Sequence, residues 1–312
     1  VGPTFKLAQD TGISDNDDNS RFGDINIKGL EQGASWQFST NGGARWAEGN
    51  PDNTMLSLSD GNYAVGAVKI RQTDSFGNIS SETANTRAIV IDNTSPATPT
   101  VQLPTDSSGG TNNAGTTTDG ITRNNRLTFA GLEATASWEY STDSGSRWTQ
   151  GQTGTSSADL DLLDCTYAAG TIQVRQKDLA GNVSSVGQNS QSITVDTQAL
   201  VPTFTLSSAG AVTLGPAGET GASFEYRVQF NGGAWSDWAS SYTVPTADGA
   251  YRVGVRQTDL AGNVSESTER TFSVGALPSG PLQLSTVALG LGGFVIKGDC
   301  NSGQIGWSIS AA

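Results

Sequence analysis

The sequence predicts an all-β protein of three tandem β-sandwich domains. Three observations carry this: a strand-and-turn segment that occurs three times, apolar residues that alternate with period two, and the lack of any amphipathic helical run. The recurrent segment reads IRQTDSFGNIS at 70–80, VRQKDLAGNVS at 174–184 and VRQTDLAGNVS at 255–265. Its aspartates, Asp74, Asp178 and Asp259, are separated by the length of a whole small domain rather than of a solenoid unit.

The other repeated blocks keep the same order. Upstream stand GASWQFSTNGGARW (33–46), TASWEYSTDSGSRW (135–148) and GASFEYRVQFNGGAW (221–235). Downstream, AIVIDNTSPATP (88–99) and SITVDTQALVP (192–202) close the first two copies. The expected domains are therefore 1–96, 97–201 and 202–276, followed by a tail at 277–312. The junctions fall near Pro96 and Pro202.

Within the recurrent segment, Val68 and Ile70 share one face while Lys69 and Arg71 share the other. Ile172 and Val174 repeat this against Gln173 and Arg175, and Val253 and Val255 against Arg252 and Arg256. Such alternation marks a half-buried antiparallel strand. The block SWQFSTNGGARW reads as a hairpin turning on Asn41-Gly42-Gly43, with Asn-Gly as the two-residue turn. Trp36 and Phe38 then share one face, as do Trp138 and Tyr140, and that face is expected to be core.

The chain carries a formal charge of −13, has a pI near 4.3 and contains no histidine. The charge argues against nucleic acid or an anionic membrane as partner, since both select a basic face. No run of eighteen apolar residues is present to span a bilayer, and no signal peptide is seen at the start of the sequence. Without histidine the commonest general base is missing, and Cys165 and Cys300 have no such partner, so an enzyme is not expected. The two cysteines could pair with each other, pair across chains or stay free; free and buried is the plain reading.

Acidic residues gather in loops. Asp10, Asp15, Asp17 and Asp18 lie in QDTGISDNDDNS, and Asp106 and Asp119 flank a longer loop in the second copy. The Asp-x-x-Gly-Asn turn is explained structurally by an aspartate capping a turn and a glycine in the left-handed region. Converging carboxylates and carbonyls would alternatively give an oxygen-only site of the kind calcium takes.

The segments GASWQFSTNGGARW, VKIRQTDSFGNIS and AIVIDNTSPATP, with their counterparts, resemble the bacterial immunoglobulin-like repeats of giant secreted adhesins, over about residues 1–275. The resemblance implies an immunoglobulin-like sandwich, an extracellular location and calcium at domain ends and junctions. It would place calcium on Asp10, Asp15, Asp17, Asp74, Asn78 and Asp92 in the first copy. In the second it would use Asp106, Asp119, Asp178, Asn182 and Asp196.

The third copy lacks the acidic loop, leaving Asp259 few expected carboxylate companions and no calcium. The tail LQLSTVALGLGGFVIKGDCNSGQIGWSISAA (282–312) resembles the opening of an integrin-type FG-GAP propeller repeat.

The function expected is a calcium-stiffened stalk segment of a surface adhesin. Its partners would be neighbouring domains, other copies of itself or a cell-surface or matrix ligand, with no nucleic acid and no membrane insertion. One alternative is a fibre subunit in which the apolar tail adds to a neighbour's sheet edge. Another is a carbohydrate-binding module using Trp46, Trp148, Trp235 and Trp238.

Overall fold

The computed structural model describes residues 1–50, 52–107, 116–215 and 219–275. Among these every regular element is a strand, and no helix is long and apolar enough to cross a membrane. The tail at 277–312 and Cys300 lie outside the described residues, as do the FG-GAP resemblance and the strand-addition alternative that depend on them. By contact the chain divides into two compact units. One joins Val1–Thr105 to Asn125–Val195, and the other joins Asp106–Asn124 to the residues from Asp196 onward.

The first unit contains two sandwiches of one plan. In the first copy, Asp24–Lys28 pairs antiparallel with both Thr4–Leu7 and Met55–Ser57. Ile89–Ile91 runs parallel to Asn19–Ser20 and antiparallel to Gly61–Tyr63. Against these packs a sheet ordered Ala47–Glu48, Ser35–Ser39, Lys69–Thr73, Thr83–Ala84. The second copy repeats the facing sheet as Thr149–Gln150, Ser137–Ser141, Gln173–Lys177, Gly187–Gln188. In the second unit, Gly249–Thr258 pairs with Ser223–Phe230 and Thr268–Val274, and Phe204–Leu206 pairs with Val212–Leu214.

Strand pairing brings the repeated blocks together in one register. Trp36 lies opposite Gln72 and Phe38 opposite Ile70; Trp138 opposes Gln176, and Tyr140 opposes Val174. In the third copy Phe224 opposes Gln257 and Tyr226 opposes Val255. The alternating residues Val68, Ile70, Ile172, Val174, Val253 and Val255 are all fully buried. Each contributes about 1.5–3 kcal/mol by leaving water. Three separate cores result, two of them centred on Trp36 and Trp138 and the third on Tyr251 and Phe272.

The same alternation carries one polar residue inward. Gln72, Gln176 and Gln257 are each at most 3 % exposed. Gln72 accepts from Glu31 N at 2.8 Å and donates to the carbonyls of Val1 and Gly29. Gln176 accepts from Glu133 N at 2.7 Å and donates to Ala97 and Gly131. Gln257 donates to Leu200 O at 2.7 Å. The glutamine of R-Q-x-D thus pins the entry of each copy to its core strand, and sets Val1, Ala97 and Leu200 as equivalent positions. Gln72 and Gln176 have both ends of the amide met, whereas Gln257 Oε1 is buried with no hydrogen-bond partner among the described residues.

Two local expectations are corrected. The turn after Ser39 does not use Asn41-Gly42 as its left-handed pair. The positive φ angles fall on Gly42 (74°) and Gly43 (95°), and in the second copy on Ser144 (59°) and Gly145 (81°). Asn41 instead accepts Ser39 Oγ at 2.9 Å and Arg45 N at 2.8 Å through its side chain, a job only a short polar residue can do there. Asp143 does the same in the second copy, and the bonds from Arg147 N and Ser141 Oγ hold its carboxyl below the ordinary value. Cys165 is exposed rather than buried, because it opens the short strand Cys165–Tyr167 with its side chain facing water.

Candidate functional site

The Asp-x-x-Gly-Asn turn is built the same way three times. Asp74 Oδ1 accepts from the backbone N–H groups of Phe76 and Asn78, and its Oδ2 accepts from Asn78 Nδ2 at 2.8 Å. Asp178 grips Asn182 through N and Nδ2, both at 2.8 Å, and Asp259 grips Asn263 at 2.8 and 2.7 Å. The bonds from Asn78, side chain first, hold the exposed Asp74 carboxyl below its ordinary value. Gly181 is required twice over. Its φ is +96°, and a Cβ there would come within 2.2 Å of Thr11 O.

In the second and third copies the turn has a further partner. Asn182 Nδ2 donates to Asp92 O at 2.7 Å, the exit of the first copy. Thr11 Oγ1 and Arg21 N both donate to Ala180 O, at 2.7 and 3.1 Å. In the second unit Asn263 Nδ2 donates to Asp196 O at 2.7 Å, Ser107 Oγ to Ala261 O at 2.6 Å and Arg123 Nη1 to Gly262 O at 2.7 Å. The repeated motif is a joint: its asparagine clamps the turn with one side-chain hydrogen and the preceding exit strand with the other.

The predicted metal ligands divide accordingly. Asp74 with Asn78, and Asp178 with Asn182, are engaged in their own turns. Asp92 turns its carboxylate to Thr94 N and gives the joint its backbone oxygen, and the Asp196 carboxylate accepts from Gln198 N. Asp119 caps Thr116 N and Ile121 N, Asp17 accepts from Asn19 N, and Asp15 is exposed.

Asp10 and Asp106 stand apart. Asp10 Oδ2 accepts from Asp17 N and Asp18 N, and Asp106 Oδ2 accepts from Gly120 N. The other oxygen of each, together with Asn19 Oδ1, is closed off from water and meets no hydrogen-bond donor among the described residues. Burial, reinforced by the charges of Asp17 and Asp18, pushes the Asp10 carboxyl above its ordinary value. Burial, reinforced by Asp119, does the same to Asp106. A buried carboxylate oxygen lacking a donor suits a proton or a hard cation.

One grouping contradicts the expectation for Asp259. Carboxylate oxygens of Asp196, Glu219 and Asp259 lie within 4.8 Å of one another in the second unit, so Asp259 has two acidic companions. Burial first, then Asp259 and Asp196, push the Glu219 carboxyl above its ordinary value. Glu219 occupies the place of Glu31 and Glu133 in the repeat. That repeated glutamate was the available sequence signal, but the three carboxylates come from distant segments. Such a group can hold a proton or a cation.

Trp46, Trp148, Trp235 and Trp238 do not form an open platform. Arg71 lies 4.0 Å over Trp46, and Arg175 lies 4.0 Å over Trp148. In the third copy Trp235, Arg227, Trp238 and Arg256 stack alternately at 4.2–4.5 Å. Each ring is half-buried with a guanidinium on one face, which disfavours the carbohydrate-platform alternative.

No model of a known family matches the chain, and no curated protein matches it in sequence. Solved structures that resemble it include the FN1–FN3 domains of chicken CNTN1, at 12 % identity and TM-score 0.23, covering 87 % of this chain and 98 % of that one. The fibronectin(III)-like modules of Clostridium thermocellum CbhA match at 13 % identity and TM-score 0.31, over 62 % of this chain and 94 % of theirs. SGBP-B from the Bacteroides ovatus mixed-linkage glucan utilization locus, in complex with a mixed-linkage heptasaccharide, matches at 12 % identity and TM-score 0.20, over 88 % and 71 %. Overlaps of this size establish no common fold by themselves; the all-β sandwich assignment rests on the strand pairing and the cores.

Proposed function

We propose that this chain is a structural segment of an extracellular bacterial adhesin, a stalk of immunoglobulin-like domains joined end to end. The observation that carries the reading is the joint itself. Asn182 and Asn263, equivalent residues of a thrice-repeated turn, each donate at 2.7 Å to the backbone of the preceding exit strand. A motif that spends its polar groups on fastening one domain to the next serves mechanical continuity rather than ligand capture.

Calcium belongs to this proposal at the Asp10 and Asp106 loops. There a closed-off carboxylate oxygen beside further acidic residues would gain from a divalent cation. The ion would stiffen the two loops that carry the Thr11 and Ser107 hydroxyls into the joints.

The test is Asn182→Ala in the full chain, read by hydrogen exchange of peptides covering 178–183 and 90–96. Removing the shared side chain should speed exchange on both sides of the first joint about tenfold, for a hydrogen bond worth roughly 1 kcal/mol and the contacts that depend on it. Unchanged exchange at 90–96 would sink the joint.

A further inference from the structure

The first copy presents the same turn exposed, with no joint on it among the described residues. Phe76 is 90 % exposed, whereas Ala180 and Ala261, its equivalents, are 2 % and 0 % exposed beneath their joints. A Cβ placed on Gly77 meets nothing within 4 Å, while one on Gly181 would strike the backbone of Thr11. Asn78 Nδ2 has the geometry of Asn182 and Asn263 toward its aspartate, yet bonds only Asp74 among the described residues. The tip therefore offers an amide hydrogen unused among the described residues and an apolar ring to solvent.

We infer that the Asp74–Ile79 turn is a socket for the distal end of another immunoglobulin-like repeat. That end would bring an exit-strand carbonyl for Asn78 and an acidic loop whose hydroxyl donates to the Phe76 carbonyl. The molecule itself shows this occupant twice. The plug consists of Asp10-Thr11 with the Asp92 carbonyl in one joint, and of Asp106-Ser107 with the Asp196 carbonyl in the other.

The third repeat of a second copy does not supply such a plug. At the corresponding place it closes a tight turn, Ser207 N to Ala211 O and Gly210 N to Ser207 O, with Ala209 and Gly210 where the plugs carry the aspartate and the hydroxyl residue. The plugs of the first and second repeats are already engaged. The occupant is thus a repeat of the Asp-Thr/Ser type whose own distal end is free.

The inference rests on the joint reading above, and the experiment separates the two. A second copy of residues 97–199 is fused directly ahead of Val1, which the glutamine bonds place in register with Leu200. Hydrogen exchange is then followed in peptides covering 74–80, which occur once in the fused chain. Docking should slow exchange there at least tenfold relative to the unfused chain, and Asn78→Ala in the fused chain should restore the faster rate. Unchanged exchange in the fused chain overturns the socket. So does slowing that survives Asn78→Ala, or slowing that appears only after Phe76→Ala, which would mean that the first turn rejects this plug. Asn182→Ala in the unfused chain reports on the joint alone. If it has its expected effect while the fused chain shows none, the socket fails and the joint stands.

Discussion

Replacing Gln176 with alanine tests whether the buried glutamine is the pin of each domain. Its amide accepts from Glu133 N at 2.7 Å and donates to Ala97 O at 2.7 Å and Gly131 O at 3.0 Å, and the residue is 1 % exposed. Three hydrogen bonds are worth about 1 kcal/mol each, and a backbone N–H left buried without a partner costs about 1–3 kcal/mol. Some of that returns as water enters the space, so the expected loss is about 2–4 kcal/mol. The chain has several cores and a single unfolding midpoint would blur them. Hydrogen exchange in the full chain is the better assay, followed at Arg126–Ala130, a core strand that the substitution leaves intact. The opening free energy there should fall enough to speed exchange about 30- to 700-fold. The corresponding strand of the first copy, Asp24–Lys28, should not respond. A change below about 0.5 kcal/mol at Arg126–Ala130 would refute the pin, because no surface glutamine costs more.

Two further outcomes are expected. The folded protein raises the Glu219 carboxyl above its ordinary value of 4.5. The stability this group contributes is therefore fully present below that value and is lost as pH rises through the raised one. Glu219→Gln should gain on the parent chain between pH 4 and pH 7.5 in urea unfolding followed by circular dichroism; a constant difference would show that neither burial nor the neighbouring carboxylates raise this group. Added calcium should slow hydrogen exchange across residues 10–20, and Asp10→Asn should abolish the response while Asp74→Asn preserves it. Loss of the response in Asp74→Asn would return the ion to the turn.

Much of the fold was readable because burial in a sandwich follows a period of two. Val68, Ile70 and their counterparts could be placed inside from alternation alone, and Trp36 and Trp138 followed from the strand that must face them. That same parity puts Gln72, Gln176 and Gln257 on the inner face. A polar residue there reads as the end of a strand, and only the loops folding over it reveal a pin. Cys165 was misplaced because a small apolar residue on a short edge strand has no pattern to give its face. Glu219 was missed because its companions approach from two other segments, a convergence that no local spacing encodes. The joint lies between these cases. The turn was visible as Asp-x-x-Gly-Asn, but the second hydrogen of each asparagine goes to a strand far away in sequence.

The repeated aspartate and the loop aspartate follow from this as different devices. In Asp178 both oxygens already accept from Asn182, and Asn182 in turn reaches Asp92 O. A cation on that carboxylate would compete with the asparagine and loosen the clamp on the preceding strand. Asp10 has the opposite arrangement, with one oxygen held by Asp17 N and Asp18 N and the other closed off with no donor. Protonation or a cation at that second oxygen costs the fold no existing bond. The turn aspartates therefore serve as local hydrogen-bonded clamps, and the loop aspartates are where an ion would displace no existing hydrogen bond. Thr11 and Ser107, each next in sequence to such an aspartate, link these loops to the joint through their hydroxyls.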